Sequence, residues 1–347
     1  MQIQEFFPDK VDEIILDKYI DFERECQKEI NPDDPTVPPE LLKKAILEPS
    51  SEYTIFRWLV FSDSEEIIGY ARLSFPNQSS PMYKTTKTIA DMTISVIKEF
   101  RRQGIGSQLL QVLVEKAKEL GKETFQTFTS LEAGRKFVEH YGGIVASDRA
   151  LNRLYYKDIN WEKMEKWCIE GEKRTKDVKI ETFQDVPEED IEEFVQLYTV
   201  TENQAPDYET GDYQGVKVSP ESRRYNEQYF KDKGYTWITK IAKEEDGTIS
   251  GFTEIFYNKF VPNMIEQEMT GVLPKYRGRG LGKRLKAEML FYIKEKYPEI
   301  DYIETGNANN NKAMLAINRG MGYRKHIVQY LMKLDIEEIE KKGKKYI

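Results

Sequence analysis

Alternating and helically spaced apolar positions follow one another in the same order twice along the chain. Thr88-Ile89-Ala90-Asp91-Met92-Thr93-Ile94-Ser95-Val96 reads as a strand, and Gln108 to Ala117, with Leu109, Leu110, Val112, Leu113 and Val114, as an amphipathic helix. Further on, Ile265 to Val272 leads into a helix whose apolar face is Leu281, Leu285, Met289, Leu290 and Ile293. Earlier stretches echo each other too: Ile68-Gly69-Tyr70-Ala71 answers Ser250-Gly251-Phe252-Thr253, and Pro39-Glu40 answers Pro220-Glu221. The pattern predicts an α/β protein of two tandem copies. Each runs helix, a Pro and acid segment, antiparallel strands, a strand-turn-helix, a strand, a helix and closing strands. The seam falls after Trp161 to Cys168, in the polar stretch Ile169 to Asp177, which has little apolar periodicity. Beyond it Val178 to Phe183 alternates like a first strand, and Pro187-Glu188-Glu189-Asp190 opens a helix through Phe194 and Leu197. The expected domains are therefore residues 1–170 and 171–347, an ordinary size for each.

Between strand and helix, each copy has a glycine-rich turn. Arg101-Arg102-Gln103-Gly104-Ile105-Gly106 recurs 176 residues later as Arg277-Gly278-Arg279-Gly280-Leu281-Gly282. Glycines there let the backbone approach a ligand closely, and the free N–H groups and dipole of a helix N-terminus favour an anion such as pyrophosphate. Neither turn is a P-loop, since the Lys-Ser/Thr ending is missing, and neither is a dinucleotide fingerprint, since Leu109 and Leu285 occupy the third glycine's place. A single copy would equally suit a glycine-capped turn with solvated arginines.

Arg-x-x-Gly-x-Gly between a strand and an amphipathic helix resembles motif A of the GNAT acetyltransferase superfamily, which holds the pyrophosphate of acetyl-coenzyme A. The second copy adds Glu304 to Tyr323, similar to the family's last strand and helix. Asn311 and Gly322-Tyr323 match; Met314 replaces an alanine and Asn318 the tyrosine that often reprotonates the coenzyme A thiolate. In the first copy Leu131 and Val138 occupy the Asn and Tyr places. The resemblance implies two GNAT-like domains, each a mixed, mostly antiparallel sheet flanked by helices. It implies direct acetyl transfer from acetyl-coenzyme A to a primary amine, with no metal and no covalent enzyme intermediate. Coenzyme contacts would come from Arg101, Gln103, Gly104, Ile105, Gly106 and Ser107 in one copy. In the other they would come from Arg277, Arg279, Gly280, Leu281, Gly282, Lys283 and Asn311. The strand edges Ile94, Val96, Thr270 and Val272 would pair with the pantetheine arm.

Composition narrows the class. A net charge of −8, with basic residues interleaved among acids, leaves no basic face for nucleic acid. No apolar run reaches the ~18 residues that span a bilayer, and Met1 to Lys10 carries acids and a proline instead of a signal segment. Cys26 and Cys168 lie in different halves without metal-ligand spacing and read as reduced thiols. The expectation is a cytoplasmic monomer or homodimer acting on a small-molecule amine, without nucleic-acid or membrane partners.

Amine acetylation needs a base. Glu266 lies eleven residues before Arg277, a spacing at which some family members carry a catalytic glutamate. Glu268, two positions on, shares its strand face, and Glu254 is expected on a neighbouring strand. A carboxylate raised by burial takes a proton directly or through water. Asp91 lies ten residues before Arg101, so alternation puts it on the opposite face unless a bulge intervenes. Toward the thiolate the candidates are Asn318, a hydrogen-bond donor without a useful proton, and Tyr323, a proton source only where its ring reaches the site. Asn311 serves either as a coenzyme contact or as a helix cap. Pro32-Asp33-Asp34-Pro35 and Ala205-Pro206-Asp207-Tyr208 are candidate acceptor loops. The catalytic half is expected to be the second. The alternative is a non-catalytic acyl-coenzyme A sensor.

Overall fold

A computed structural model describes residues 1–48, 50, 52–80, 82–84, 86–204, 217–308 and 311–343. In chain order the first elements are β1 (Gln2–Glu5), α1 (Glu13–Ile30), α2 (Pro39–Leu47), β2 (Tyr53–Phe61), β3 (Ile67–Pro76), β4 (Ile89–Val96), α3 (Ile105–Glu119), β5 (Thr124–Thr129) and α4 (Glu132–His140). There follow β6 (Ile144–Tyr155), α5 (Trp161–Arg174), β7 (Lys179–Phe183), α6 (Ile191–Glu202), α7 (Pro220–Asp232), β8 (Tyr235–Lys243), β9 (Ile249–Asn258) and β10 (Met264–Val272). The last are α8 (Leu281–Lys296), β11 (Tyr302–Ala308), α9 (Lys312–Met321), β12 (Arg324–Asp335) and α10 (Ile336–Gly343).

Two compact units result. Unit 1 is Met1–Asp148 with Gln329–Ile347; unit 2 is Arg149–Val328. Each is a mixed sheet flanked by helices, as the duplicated pattern predicts. In unit 1 the strand order is β1-β2-β3-β4-β5, antiparallel except for parallel β4 and β5. The second half of β12 then pairs antiparallel with β5, Tyr330 to Asp335 against Thr129 to Thr124. In unit 2 the order is β6-β11-β10-β9-β8-β7, with β10 and β11 the parallel pair.

The units therefore part within β6 and β12, whereas the expected division lay at 170/171. The polar stretch read as a seam is largely helical. α5 starts at Asn160, whose side chain accepts from the Lys163 N–H at 2.9 Å, and continues to Arg174. Met164, Trp167, Cys168 and Gly171 recur at helical spacing and line the face packed on α8. Gly171 permits that approach, because a Cβ there would lie 2.7 Å from Arg284 Cβ. A second difference is small: α6 begins at Ile191, and Pro187 to Asp190 form a turn closed by Asp190 N–H to Pro187 O at 3.0 Å.

Alternation along the strands feeds a core on each face of each sheet. In unit 1, Trp58, Val60, Ala71 and Leu73 pack with Leu109, Leu110 and Leu113 of α3, joined by Met332 and Leu334 of β12 and Ile336 and Ile339 of α10. Leu59 and Tyr70 point the other way, to Leu16, Tyr19 and Ile20 of α1. Unit 2 repeats this with Leu290 and Ile293 of α8 on one face and Phe194 and Leu197 of α6 on the other.

The parallel pairs position the site. β4 pairs with β5 only from Ile89 to Asp91, and β10 with β11 only from Met264 to Glu266. Beyond those residues the strands diverge. Ile94 and Val96, and likewise Thr270 and Val272, stand on strand edges whose far side is paired to β3 or β9 while the near side is open.

Candidate active site

At the mouth of each opening lies a helix N-terminus with an unusual cap. Gly104 precedes α3 at φ +83° and Gly280 precedes α8 at φ +86°, left-handed values that glycine alone adopts freely. Neither helix has a side-chain cap, and neither has an acid in its first turn. The first N–H groups thus lack both intrahelical and capping partners, and the dipole is uncompensated. The nearest neighbours to a Cβ on Gly104 or Gly280 would be side-chain ends, Gln108 Nε2 at 3.8 Å and Arg174 Nη1 at 3.7 Å, so no backbone closes over either glycine.

The arginines opening each motif brace the turn. Arg101 Nε donates to Val96 O at 2.9 Å, and its guanidinium forks onto Glu29. Arg277 Nε donates to Val272 O at 3.0 Å, and its Nη2 donates to Gln204. Arg279 holds Glu244 at 2.9 Å, and Gln103 reaches back to Glu99 O at 3.3 Å. With these side chains engaged within the turns, the N–H groups left free to donate there are those of the backbone from Gly104 to Ser107 and from Gly280 to Lys283.

The two units differ in the strand leading to the cradle. β10 pairs Gln267 with Ile255 and then Thr270 with Thr253, so Glu268 and Met269 together face Glu254 in a one-residue bulge. β4 runs against β3 without such a shift. The bulge accounts for the unequal spacing in the sequence. Asp91 is the last residue of β4 paired to β5, as Glu266 is of β10 paired to β11, and the extra residue lies between Glu266 and Arg277. Asp91 and Glu266 are thus equivalent positions, by way of the bulge that the sequence spacing left open. Gln267, not singled out in the sequence, fixes the bulge. Its Nε2 donates to Glu254 O at 2.6 Å, Thr253 Oγ1 at 3.1 Å and Glu268 O at 3.2 Å.

Glu266 and Glu268 share the face of β10 opposite the buried Ile265 and Gln267. Burial, then Glu304, pushes the Glu266 carboxyl up. Glu268 remains open to solvent while standing deep among protein atoms. Burial first, then the negative neighbours Glu266 and Glu254, push it up to about 7, with Arg149 opposing. Glu254 lies on β9, the strand expected for it, and is wholly buried. Burial pushes its carboxyl up, opposed by Arg223 Nη1 at 2.8 Å and Thr239 Oγ1 at 2.7 Å. Arg223 from α7 also grips Glu227 at 2.8 Å and stacks 3.6 Å from the Trp237 ring centroid. Nothing local marks Arg223 in the sequence; its partners come from other elements. In unit 1 burial likewise raises Asp91, with Arg72 opposing.

Asn311 caps α9, its Oδ1 accepting from Met314 N–H at 3.2 Å. Asn318 is buried and donates through Nδ2 to Asn307 Oδ1 at 2.7 Å, leaving its own Oδ1 unpaired. Tyr323 packs into the α8 core with its hydroxyl enclosed and unpartnered, and burial raises the phenol well above its ordinary range, making it a poor acid. Asn318 and Tyr323 line one cleft of about 150 Å³ with Asn152, Leu315, Arg319 and Lys325. Of the candidate acceptor loops, Pro32 to Pro35 follows α1 as a turn, while Ala205 to Tyr208 lies outside the described residues, as do Asn309 and Asn310 of the second motif. Among the described residues, no group of three or more His, Cys, Asp or Glu is arranged to hold a metal, and no helix is long and apolar enough to cross a membrane.

A comparison with curated protein sequences gives no match. Among solved structures, the chain resembles a tandem GNAT protein from the clavulanic acid biosynthesis pathway, with a TM-score of 0.74 and 18% identity over 96% of this chain and 98% of that one. It also resembles a GCN5-related N-acetyltransferase from Sphaerobacter thermophilus, at a TM-score of 0.66 and 18% identity over 96% and 95% of the two chains. A GNAT-family acetyltransferase from Colwellia psychrerythraea follows, at 0.54 and 8% identity over 96% and 99%. These likenesses show the fold. The model of the acetyltransferase (GNAT) family matches residues 16–142 and again 197–323, each match spanning one cradle and the strand that leads to it. The chain belongs to the GNAT acetyltransferase family, as a tandem member.

Proposed function

We propose that the protein is an acetyl-coenzyme A-dependent N-acetyltransferase of a small amine, with transfer carried out in unit 2. The observation that carries the reading is the bulge of β10, which sets Glu268 at the diverging β10 edge, on the strand leading to an uncapped helix N-terminus. Acetyl-coenzyme A, when bound, supplies the acetyl thioester. The free N–H groups of Gly280 to Lys283 would hold its pyrophosphate, and the open edge of Thr270 to Val272 would pair with its pantetheine arm. Glu268 is the base: a carboxylate titrating at about 7 accepts a proton from an ammonium group near neutral pH, directly or through one water. Glu266 lies beside it and favours a cationic acceptor. Asn318 orients by hydrogen bonding and supplies no proton. In unit 1 the cradle is intact, but β4 lacks the bulge and Val138 and Leu131 replace polar residues of the second copy. Unit 1 is read as a coenzyme-binding or scaffolding unit.

Turnover with a panel of primary amines, followed by thiol release, tests this reading in the wild type and in Glu268→Gln. Amine-dependent release that the variant loses supports it. Binding of acetyl-coenzyme A without turnover of any amine would replace it with the acyl-coenzyme A sensor.

A further inference from the structure

Unit 1 carries a pair of cations that its duplicate does not repeat. Arg57 of β2 and Arg72 of β3 are direct register partners. Alternation places them on the face of Leu59 and Tyr70, toward α1, and away from Trp58, Ala71 and Leu73. Both are half-buried, and each has a buried Nε without a hydrogen-bond partner. Neither guanidinium makes a hydrogen bond or ion pair among the described residues. The nearby acids are Asp91, which feels Arg72, and Glu23, which with Arg57 acts on Tyr19; neither is within ion-pair distance. At the equivalent places unit 2 has Thr239 and Glu254, also register partners, and there Arg223 satisfies both.

Like charges directly opposed across two strands disfavour the sheet, and a guanidinium drawn from water with an unpaired Nε adds to the cost. An anion bridging the pair removes both penalties. The planar fork of each arginine suits a carboxylate or phosphate. Tyr19 and Tyr70, ring centroids 5.4 Å apart, stand beside the pair, and a phenol O–H there can donate to the same anion. We propose that Arg57 and Arg72, with Tyr19 and Tyr70, form an anion-binding site that takes the carboxylate or phosphate group of a small molecule. The site is independent of coenzyme binding in either cradle. It gives unit 1 a ligand preference opposite in charge to that of the acid-lined strand of unit 2.

The test is thermal unfolding of the full chain in glutarate and, separately, in inorganic phosphate at fixed ionic strength. Wild type is compared with Arg57→Met, Arg72→Met and the cradle variant Ser107→Glu. The expected result is a rise in melting temperature with at least one anion. Both arginine variants melt above the wild type without anion and lose the rise, while Ser107→Glu keeps it. A response to glutarate alone identifies a carboxylate ligand, and a response to phosphate alone a phosphate ligand. No rise in the wild type up to about 50 mM of either anion overturns the proposal. So does a rise that survives both arginine variants, or one that only Ser107→Glu abolishes, which puts the anion in the cradle. Arginine variants that melt below the anion-free wild type would show a pair satisfied within the protein, and overturn it too.

Discussion

Glu254, wholly buried on β9, stands alone opposite Glu268 and Met269 on β10, so a held carboxylate faces the carboxylate proposed as base. Glu268 acts when deprotonated. Turnover per unit of free enzyme is therefore expected to rise with pH through about 7 and to level off above it. Removing a negative neighbour lowers the proton affinity of Glu268, so Glu266→Gln moves this rise to lower pH, while Glu268→Gln abolishes it. A pH profile of kcat/KM checks both. The raised carboxyl also affects stability: Glu268 favours folding below its ordinary range, and that contribution is lost as pH rises through about 7.

Arg223 neutralises Glu254 and Glu227 inside unit 2, with 2% of its own surface exposed. Arg223→Met leaves the buried Glu254 without its cation, while Glu227 keeps Arg224 at 2.7 Å, and is expected to destabilise the protein by about 3–5 kcal/mol. Combining it with Glu254→Gln recovers part of that loss, because the stranded charge is gone. Denaturant unfolding of both variants measures the coupling.

Lys286 on α8 is buried where unit 1 has Leu110, each four residues past the second glycine of its motif. Its ammonium lies over the Tyr323 ring, 5.5 Å from the centroid, and makes no ion pair among the described residues. Burial pushes the ammonium down to about 7 from 10.5, so the folded state binds this proton less tightly than the unfolded one. Stability from this group is complete above 10.5 and is lost as pH falls toward about 7. Lys286→Leu is expected to stabilise the protein at neutral pH by about 2–4 kcal/mol, a gain that shrinks in alkaline buffer. Paired unfolding curves at neutral and alkaline pH check the sign.

The cradles were legible in the sequence because their geometry is local: glycine at a left-handed position before an uncapped helix is written in adjacent residues, as at Gly104 and Gly280. The alternation around Ile265 likewise identified the strand of Glu266 and Glu268. Its bulge was less visible, since Gln267 acts through Glu254 and Thr253 on the neighbouring strand. The one-residue difference between Asp91 and Glu266 relative to their arginines was the available signal. The limits of the compact units were hidden for another reason. Alternation in Ile144 to Tyr155 and in Arg324 to Asp335 is the same whichever sheet the strand joins, and each crosses a unit boundary. The polar look of α5 came from its solvent face, while Met164 and Gly171 carried the packing.

Calorimetric titration of acetyl-coenzyme A into the full chain, wild type against Gly282→Glu, asks whether the uncapped N-terminus of α8 binds the coenzyme. Gly282 has room for a side chain, with Ile317 Cδ1 the nearest atom at 3.7 Å from a Cβ. An acid in the first turn of α8 suits the helix dipole, so the variant is expected to fold at least as stably as the wild type. The variant is expected to lose the unit 2 coenzyme site through repulsion of the pyrophosphate. Undiminished stoichiometry and affinity in a folded Gly282→Glu would contradict that expectation.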